Sequence, residues 1–293
     1  MSRRLALSAL AMLVASVVAE SCKPSGMKAA TDAYVVAQKL GDVGALKPFL
    51  AEKHSYLDNG NTVGLDQGLI SIPLPVDHNR SIHDPLLCTA FTEVVISRSQ
   101  PFVIGTRMEF TNDTATKLTR IESVVMNQLD GLFNATNYLY WAKEENWQAI
   151  DPETPMWMPR KILTKQVDIF LERLSNPKKQ VPYGSPCARL EGGFYTGEGP
   201  KRLDNTCGQC LPSSFNVTNA RYVVDEEFGA VSVFAGWPGL DRNHAQDARP
   251  VSFLFRIEGG WIRYIHRITS CVTAACGLTF TDLCSFAQAV NSR

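Results

Sequence analysis

The sequence predicts an α+β fold: curved antiparallel sheets covered by helices, stapled by disulfides, in two tandem units. Three observations predict it. Segments with helical apolar periodicity alternate with segments that alternate every second residue. The order helix, glycine turn, strands and long hairpin occurs twice along the chain. The cysteine count is eight, an even number, behind an N-terminus that reads as a secretory leader.

The leader comes first. Arg3 and Arg4 precede an apolar run over 5–18, and small residues at Val17 and Ala19 stand before Glu20. This is the layout of a cleavable signal peptide. The run is shorter than the roughly 20 apolar residues that a bilayer span requires, which argues against an anchor. Residues 1–19 are expected to be removed and the mature chain to be secreted or held in the secretory pathway. The eight cysteines, Cys22, Cys88, Cys187, Cys207, Cys210, Cys271, Cys276 and Cys284, all follow the leader. Four disulfides are expected. Spacing alone does not fix the pairing; Cys22 with Cys88, Cys187 with Cys207, Cys271 with Cys276 and Cys210 with Cys284 is the expected set. A redox or zinc role for Cys207 and Cys210 lacks a surrounding βαβ pattern or a second such pair. Asn79, Asn112, Asn134 and Asn216 open Asn-x-Ser/Thr sequons, so each is a candidate glycan site on a surface loop.

The elements follow in order. The first α+β unit is expected over 20–135 and the second over 136–293. Apolar residues recur at helical spacing over 27–40 and stop at Gly41. A short helix is expected at 45–51, then a turn over 55–61 that includes Asp58, Asn59 and Gly60. Strands are expected at 101–110 and 117–126 about an Asn112–Asp113 turn. The stretch 136–147 is mixed and aromatic. The second unit opens with an amphipathic helix over 159–174, and Gly192–Gly193 repeats the earlier turn. Strands follow at 221–224 and 230–234. The last hairpin runs 251–257 and 262–269 about Gly259–Gly260. A single mixed domain with helices on one side of one sheet is the other architecture that this order allows.

A two-residue turn at Gly259–Gly260 sets Phe255 opposite Tyr264 and Phe253 opposite His266. Phe253, Phe255, Ile257, Ile262, Tyr264 and His266 then share one face, and Arg256, Arg263 and Arg267 lie on the other. An aromatic face with a phenol and an imidazole reads in two ways: a pocket for a hydrophobic molecule, or a packed core with two satisfied polar tips. Trp237 is a further candidate for the apolar wall. His54, His78, His83 and His244 show no ligand spacing, and Glu122, Asp58 and Glu191 are unpaired carboxylates. The formal charge is zero with no basic stripe, which argues against nucleic acid. No membrane-surface helix follows the leader. No metalloprotease, P-loop, dinucleotide or nucleophile-elbow motif is present, so neither a metal nor a cofactor is expected.

Several segments carry a resemblance. Arg221 to Val231, Phe255 to Gly260 with Ile262 to His266, Cys187 to Gly192, and Asn205 to Cys207 resemble a family of secreted fungal proteins with a domain of unknown function. Tyr56 to Gly60 and Thr119 to Val125 resemble it more faintly. The resemblance implies halves similar to the nuclear-transport-factor-two-like cone, a helix-covered sheet around a hydrophobic cavity. Where relatives often carry Pro-Asp-Ser-His, this chain has Pro250, Val251, Ser252 and Phe253. In general character the chain is also similar to the hetero-Diels–Alderases of fungal tropolone–sesquiterpenoid pathways. That likeness implies a cofactor-free pericyclase joining a quinone methide to a humulene-type olefin. His266 or Tyr264 would be the catalytic donor, and Phe253, Phe255 and Trp237 the substrate-binding wall. The alternative is a secreted non-enzymatic binder or effector for a hydrophobic small molecule.

Overall fold

The computed structural model describes residues 22–113, 115–199, 202–211, 215–241 and 246–271. The expected leader, His244, Cys276 and Cys284 lie outside them. The first unit runs α1 (Pro24–Leu40), β1 (Leu50–Asp58), β2 (Asn61–Val63), β3 (His78–Asp84), β4 (Thr89–Ile96), β5 (Phe102–Phe110) and β6 (Leu118–Met126). After α2 (Ala135–Glu144), the second runs α3 (Arg160–Ser175), β7 (Tyr183–Glu191), β8 (Phe194–Tyr195), β9 (Thr218–Asp225), β10 (Ala230–Pro238), β11 (Ala248–Glu258) and β12 (Trp261–Thr269). Helix α1 ends where the periodicity says it should. Gly41 takes φ 63° there, and a Cβ would sit 2.4 Å from the Pro73 nitrogen, so only glycine fits.

Each unit forms one six-stranded sheet. The orders are β2-β1-β6-β5-β4-β3 and β8-β7-β12-β11-β10-β9, the same path twice. The sheets are mixed rather than purely antiparallel, because the first long strand of each unit pairs parallel with its last: β1 with β6, and β7 with β12. The repeat extends to irregularities. The β5–β6 ladder slips between Glu109 and Phe110, and the β11–β12 ladder slips at the corresponding place, between Arg256 and Ile257. Following the pairings outward, Asp84 corresponds to Asp225, Arg80 to Arg221, Glu93 to Phe234, Gly105 to Ser252, and Glu122 to His266. The chain is therefore two units of one topology.

The layers follow from which faces are apolar. Helix α1 packs on the first sheet through Met27, Ala30, Tyr34 and Ala37, and α3 on the second through Leu163, Val167, Phe170 and Leu174. The opposite faces of the two sheets meet each other. Ile82, Phe91, Val103 and Val124 pack there with Val223, Phe234, Leu254 and Ile268. Within this interface a Cβ on Gly105 would lie 2.8 Å from the Ser252 Oγ. The two ends of β3 and β9 also exchange bonds: Asp84 accepts the Val224 N–H at 3.0 Å and Asp225 accepts the His83 N–H at 2.9 Å. This reciprocal exchange is the mark of a local two-fold relation between the units.

Two disulfides have both partners among the described residues, Cys22–Cys88 and Cys187–Cys207, as expected. Cys210 and Cys271 are also disulfide-bonded. The expected pairs Cys271–Cys276 and Cys210–Cys284 fall partly outside the described residues. Among the described residues no helix is long and apolar enough to cross a membrane.

Some expected elements change. The helix expected at 45–51 is two 3-10 turns followed by β1, and the turn expected over 55–61 begins only at Asn59, which has φ 50°. Strands β3 and β4 are new. The register of the last hairpin changes most. Glu258 faces Trp261 and Ile257 faces Ile262 as expected, but Arg263 is then left over as a bulge. Beyond it Arg256 faces Tyr264, Leu254 faces His266 and Phe253 faces Arg267. One extra residue reverses every later side chain.

Candidate functional site

That reversal separates the expected site residues. Phe253, Phe255 and Trp237 lie on the α3 side of the second sheet, fully buried against one another and against Phe170. They form a filled core and not an open wall. Arg267, expected on the opposite face, lies over the Trp237 ring at 5.0 Å. Tyr264 and His266 point the other way, into the junction between the units, together with Arg256. They do remain neighbours, and the Trp147 ring packs against both.

His266 is 1% exposed and is clamped at both ring nitrogens. Nδ1 lies 2.7 Å from Glu93 Oε2, and Nε2 lies 2.6 Å from Glu145 Oε2. Glu93 stands on β4, in the first unit, and Glu145 directly follows α2. Each carboxylate has further donors. Tyr138 of α2 donates to Glu93 at 2.8 Å, Trp147 Nε1 donates to Glu145 at 2.8 Å, and Arg80 Nη1 reaches Glu93 Oε1 at 3.2 Å. The Arg80 guanidinium also lies 4.3 Å over the Trp147 ring and donates to the Ala142 carbonyl. Burial works against a charge on His266, but the two carboxylates overcome it and raise its pKa to about 9. Glu93 is likewise opposed by burial, yet the imidazolium and Arg80 lower it to about 2. The group is a doubly protonated histidine between two carboxylates, with Arg80 balancing the charge.

Two openings flank this network. The wider is a cleft of ≈810 Å³ at the junction of α1, β3, the start of α3 and the β9–β10 turn, with Lys28, Arg80, His83, Arg160 and Glu227 among its walls. Arg160 holds Asp84 through two bonds of 2.8 Å, and Lys28 pairs with Asp32 at 3.0 Å. Asp225, at the corresponding end of β9, has among the described residues only backbone donors, from His83, Glu227 and Phe228. Burial holds its pKa above the usual carboxylate range. The Thr31 hydroxyl donates to the Lys28 carbonyl, so the 3.0 Å contact with His83 takes its proton from Nε2. Burial, then the charge of Lys28, lowers the His83 pKa. The ring is therefore neutral, with its lone pair on Nδ1.

The narrower opening is a crevice of ≈110 Å³ on the other side of the clamp, lined by Trp141, Glu145, Tyr195, Arg202 and Tyr264. Trp141 stacks on Tyr195 with ring centroids 3.9 Å apart. Among the described residues Glu145 Oε1 and Trp141 Nε1 are buried with no hydrogen bond of ordinary geometry, and the Tyr195 hydroxyl stands beside the Glu145 carboxylate, so that burial and then that charge push the phenol's pKa up.

The weaker sequence candidates find structural roles. His54 is exposed and contacts the Ala51 carbonyl. His78 is lowered to about 4 by burial and then Arg80. Glu122 pairs with Arg221, Asp58 accepts from Tyr56 and the Leu69 N–H, and Glu191 pairs with Arg189 and Arg267. All four sequon asparagines are exposed, and Asn79 stands on the wall of the cleft. Asn134 also caps α2 by accepting the Asn137 N–H. Glu93, Glu145, Tyr138 and Arg80 were missed by sequence reasoning. One signal was available: Glu93 is a lone charge inside the buried strand Thr89–Ile96.

The geometry thus defines a class: a two-unit α+β protein with a clamped histidine between its sheets and an open cleft at their edge. Residues 156–269, essentially the second unit, match the model of a family described as Domain of unknown function (DUF8021). No curated protein matches the chain. Among solved structures, an NTF2-like protein of unknown function from Shewanella baltica is similar at 10% identity and a TM-score of 0.26, covering 35% of this chain and 94% of its own. The tandem description rests on the repeated strand order alone.

Proposed function

We propose that the protein is an extracellular binder of a small, neutral, hydroxyl-rich molecule, which it holds in the cleft between its units. The observation that carries this reading is the cleft itself. Its ≈810 Å³ falls within the roughly 300–1,000 Å³ of small-molecule sites, and it lies between two units where such sites concentrate. Its cations are already paired within the protein, Lys28 with Asp32, Arg80 with Glu93 and Arg160 with Asp84, so nothing in the cleft calls for an anionic ligand. Charged and neutral donors beside the His83 acceptor suit hydroxyl groups, and Phe228 and Leu86 offer apolar contact to a ring.

The test is binding of cello-, malto- and chito-oligosaccharides by calorimetry, with Asn79→Gln as background to remove any glycan at the cleft. Binding of one series, weakened at least about tenfold by His83→Phe, is the expected outcome. Binding of a fluorescent fatty acid and of no sugar would return the protein to the hydrophobic-ligand reading.

The pericyclase reading has one feature in its favour, the adjacency of Tyr264 and His266 beside a crevice. Both hydrogen-bonding faces of His266 are taken by carboxylates, and ≈110 Å³ is small for two reactants. A cycloaddition would have to use the cleft instead. Incubation with a quinone-methide precursor and an olefin tests it: product ratios equal to those of the spontaneous reaction would remove it.

A further inference from the structure

The cleft carries a modification motif on its own wall. Asn79, Arg80 and Ser81 form one of the four sequons, and Asn79 is the one sequon asparagine among the residues that line the cleft. The other three lie elsewhere: Asn112 at the turn after β5, Asn134 at the start of α2 and Asn216 just before β9. Strand β3 is the last in its sheet and pairs with β4 on one side. Alternation along it puts Asn79, Ser81 and His83 on one face, where His83 meets Thr31 of α1. Ile82 lies on the other face, in the core between the units. Asn79 is exposed, and among the described residues its side chain has no hydrogen-bond partner. Attachment of a sugar to its Nδ2 therefore breaks no contact, whereas the Asn134 side chain already caps α2. His83 stands four residues further along the same face, about 13 Å away at the rise of a strand, within reach of the first sugars of an N-linked chain.

We infer that Asn79 is glycosylated and that the first sugars of its glycan occupy the cleft, as a tethered group that a free ligand has to displace. The modification is a transfer from a lipid-linked oligosaccharide pyrophosphate in the secretory pathway. Asn79 Nδ2 attacks C1 of the sugar, the N–C bond forms as the C–O bond to the pyrophosphate breaks, and one amide proton is lost. The sugars nearest the asparagine are N-acetylglucosamines, which are neutral and rich in hydroxyl groups. They have the chemistry assigned to the cleft above, and the inference rests on that reading for what the walls accept. His83 Nδ1 offers them an acceptor, and Phe228 and Leu86 offer apolar contact to a ring. The tether supplies the rest of the driving force. A group on a short flexible link has an effective concentration on the order of millimolar, so even weak contacts keep it in place.

The test reads the cleft without a free ligand. Protein secreted from a eukaryotic host is treated with diethyl pyrocarbonate, which acylates neutral imidazole, and the labelled histidines are mapped by mass spectrometry. His83, half-buried in the cleft with its lone pair on Nδ1, reports whether the cleft is filled. His54, exposed and outside the cleft, is the internal reference. A group whose dissociation constant equals its effective concentration fills its site half the time, so removing the glycan should raise the His83 rate relative to His54 at least about twofold. Asn79→Gln and enzymatic release of the whole glycan from the folded protein should both do this, and Asn216→Gln should not. An unmodified Asn79, an unchanged His83 rate after release, or an equal rise in Asn216→Gln would each overturn the inference and leave the reading of the cleft standing. If His83 is uncovered in Asn79→Gln and no free oligosaccharide then binds, the tethered glycan stands and the cleft as a site for free ligands falls.

Discussion

The two sides of the junction start from one arrangement and end in different chemistry. On one side Arg221 of β9 reaches across to Glu122 of β6 with two bonds of 2.5 and 2.8 Å. On the other side the corresponding arginine is Arg80 of β3, but the residue in Glu122's place is His266. An arginine and an imidazolium now face the same spot. Carboxylates have to come from elsewhere, and they do. Glu93 stands where the second unit has Phe234, which packs edge-on to Phe91, and Glu145 comes from the segment after α2. Two changes of residue type, at the positions of His266 and Glu93, together with Glu145 separate a simple cross-sheet ion pair from a buried, multiply bonded cluster. The plain pair is partly exposed, whereas the cluster is sealed and borders the crevice.

Glu93→Ala should show the largest effect. It leaves Arg80 and His266 as buried cations with one carboxylate between them, and breaking a buried pair in this way costs about 3–5 kcal/mol. Urea denaturation would measure it, and a loss below about 1 kcal/mol would mean that His266 is not charged. The pH profile comes next. His266 is raised from 6.5 to about 9, so its contribution is complete below about 6.5 and is lost as pH rises through 9. Glu93 is lowered from 4.5 to about 2, so its contribution is complete above about 4.5 and is lost as pH falls through 2. Melting temperatures should therefore plateau between about pH 4.5 and 6.5, with roughly 3 kcal/mol at stake on each flank. A profile that peaks above pH 9 would contradict the clamp.

Gly105→Ala should cost about 1–3 kcal/mol by overpacking its contact with Ser252 between the two sheets, and Ser252→Gly in the same chain should recover part of it. The smallest change belongs to the plain side. Arg221→Ala should cost about 1 kcal/mol, because a partly exposed pair loses little when solvent can replace it. Equal losses for Arg221→Ala and Glu93→Ala would erase the contrast between the two sides.

Much of the scaffold was legible because its causes are local. The faces of α1 and α3, the Gly41 stop, the Asn59–Gly60 and Gly192–Gly193 turns, the β5–β6 hairpin and the turn of the last hairpin all follow from periodicity and from residues that tolerate positive φ. Strand β1 was hidden because the run 50–58 mixes exposed and buried residues without clean alternation. Strand β4 was hidden because it is buried on both faces and so does not alternate at all. The pairing of Tyr264 with His266 was readable from their spacing. Their separation from Phe253 and Phe255 was not, since the bulge at Arg263 coincides with a slip of the β7 ladder at the same level, a pairing between segments far apart in the chain.

The sequence by itself determined the faces of the two long helices, the glycine turns and the exposed positions of the four sequons, because each rests on local pattern or on chemistry that one residue type carries; it left both the cysteine pairing and the choice between two units and one mixed domain open. Only the tertiary structure decided that the aromatic face of the last hairpin is core. It alone brought Glu93 and Glu145 to His266 across 173 and 121 residues of chain. The physical reason is the same in both cases. A one-residue slip in a sheet and a meeting of distant strands are settled by which faces must be buried together, and that balance belongs to the whole fold.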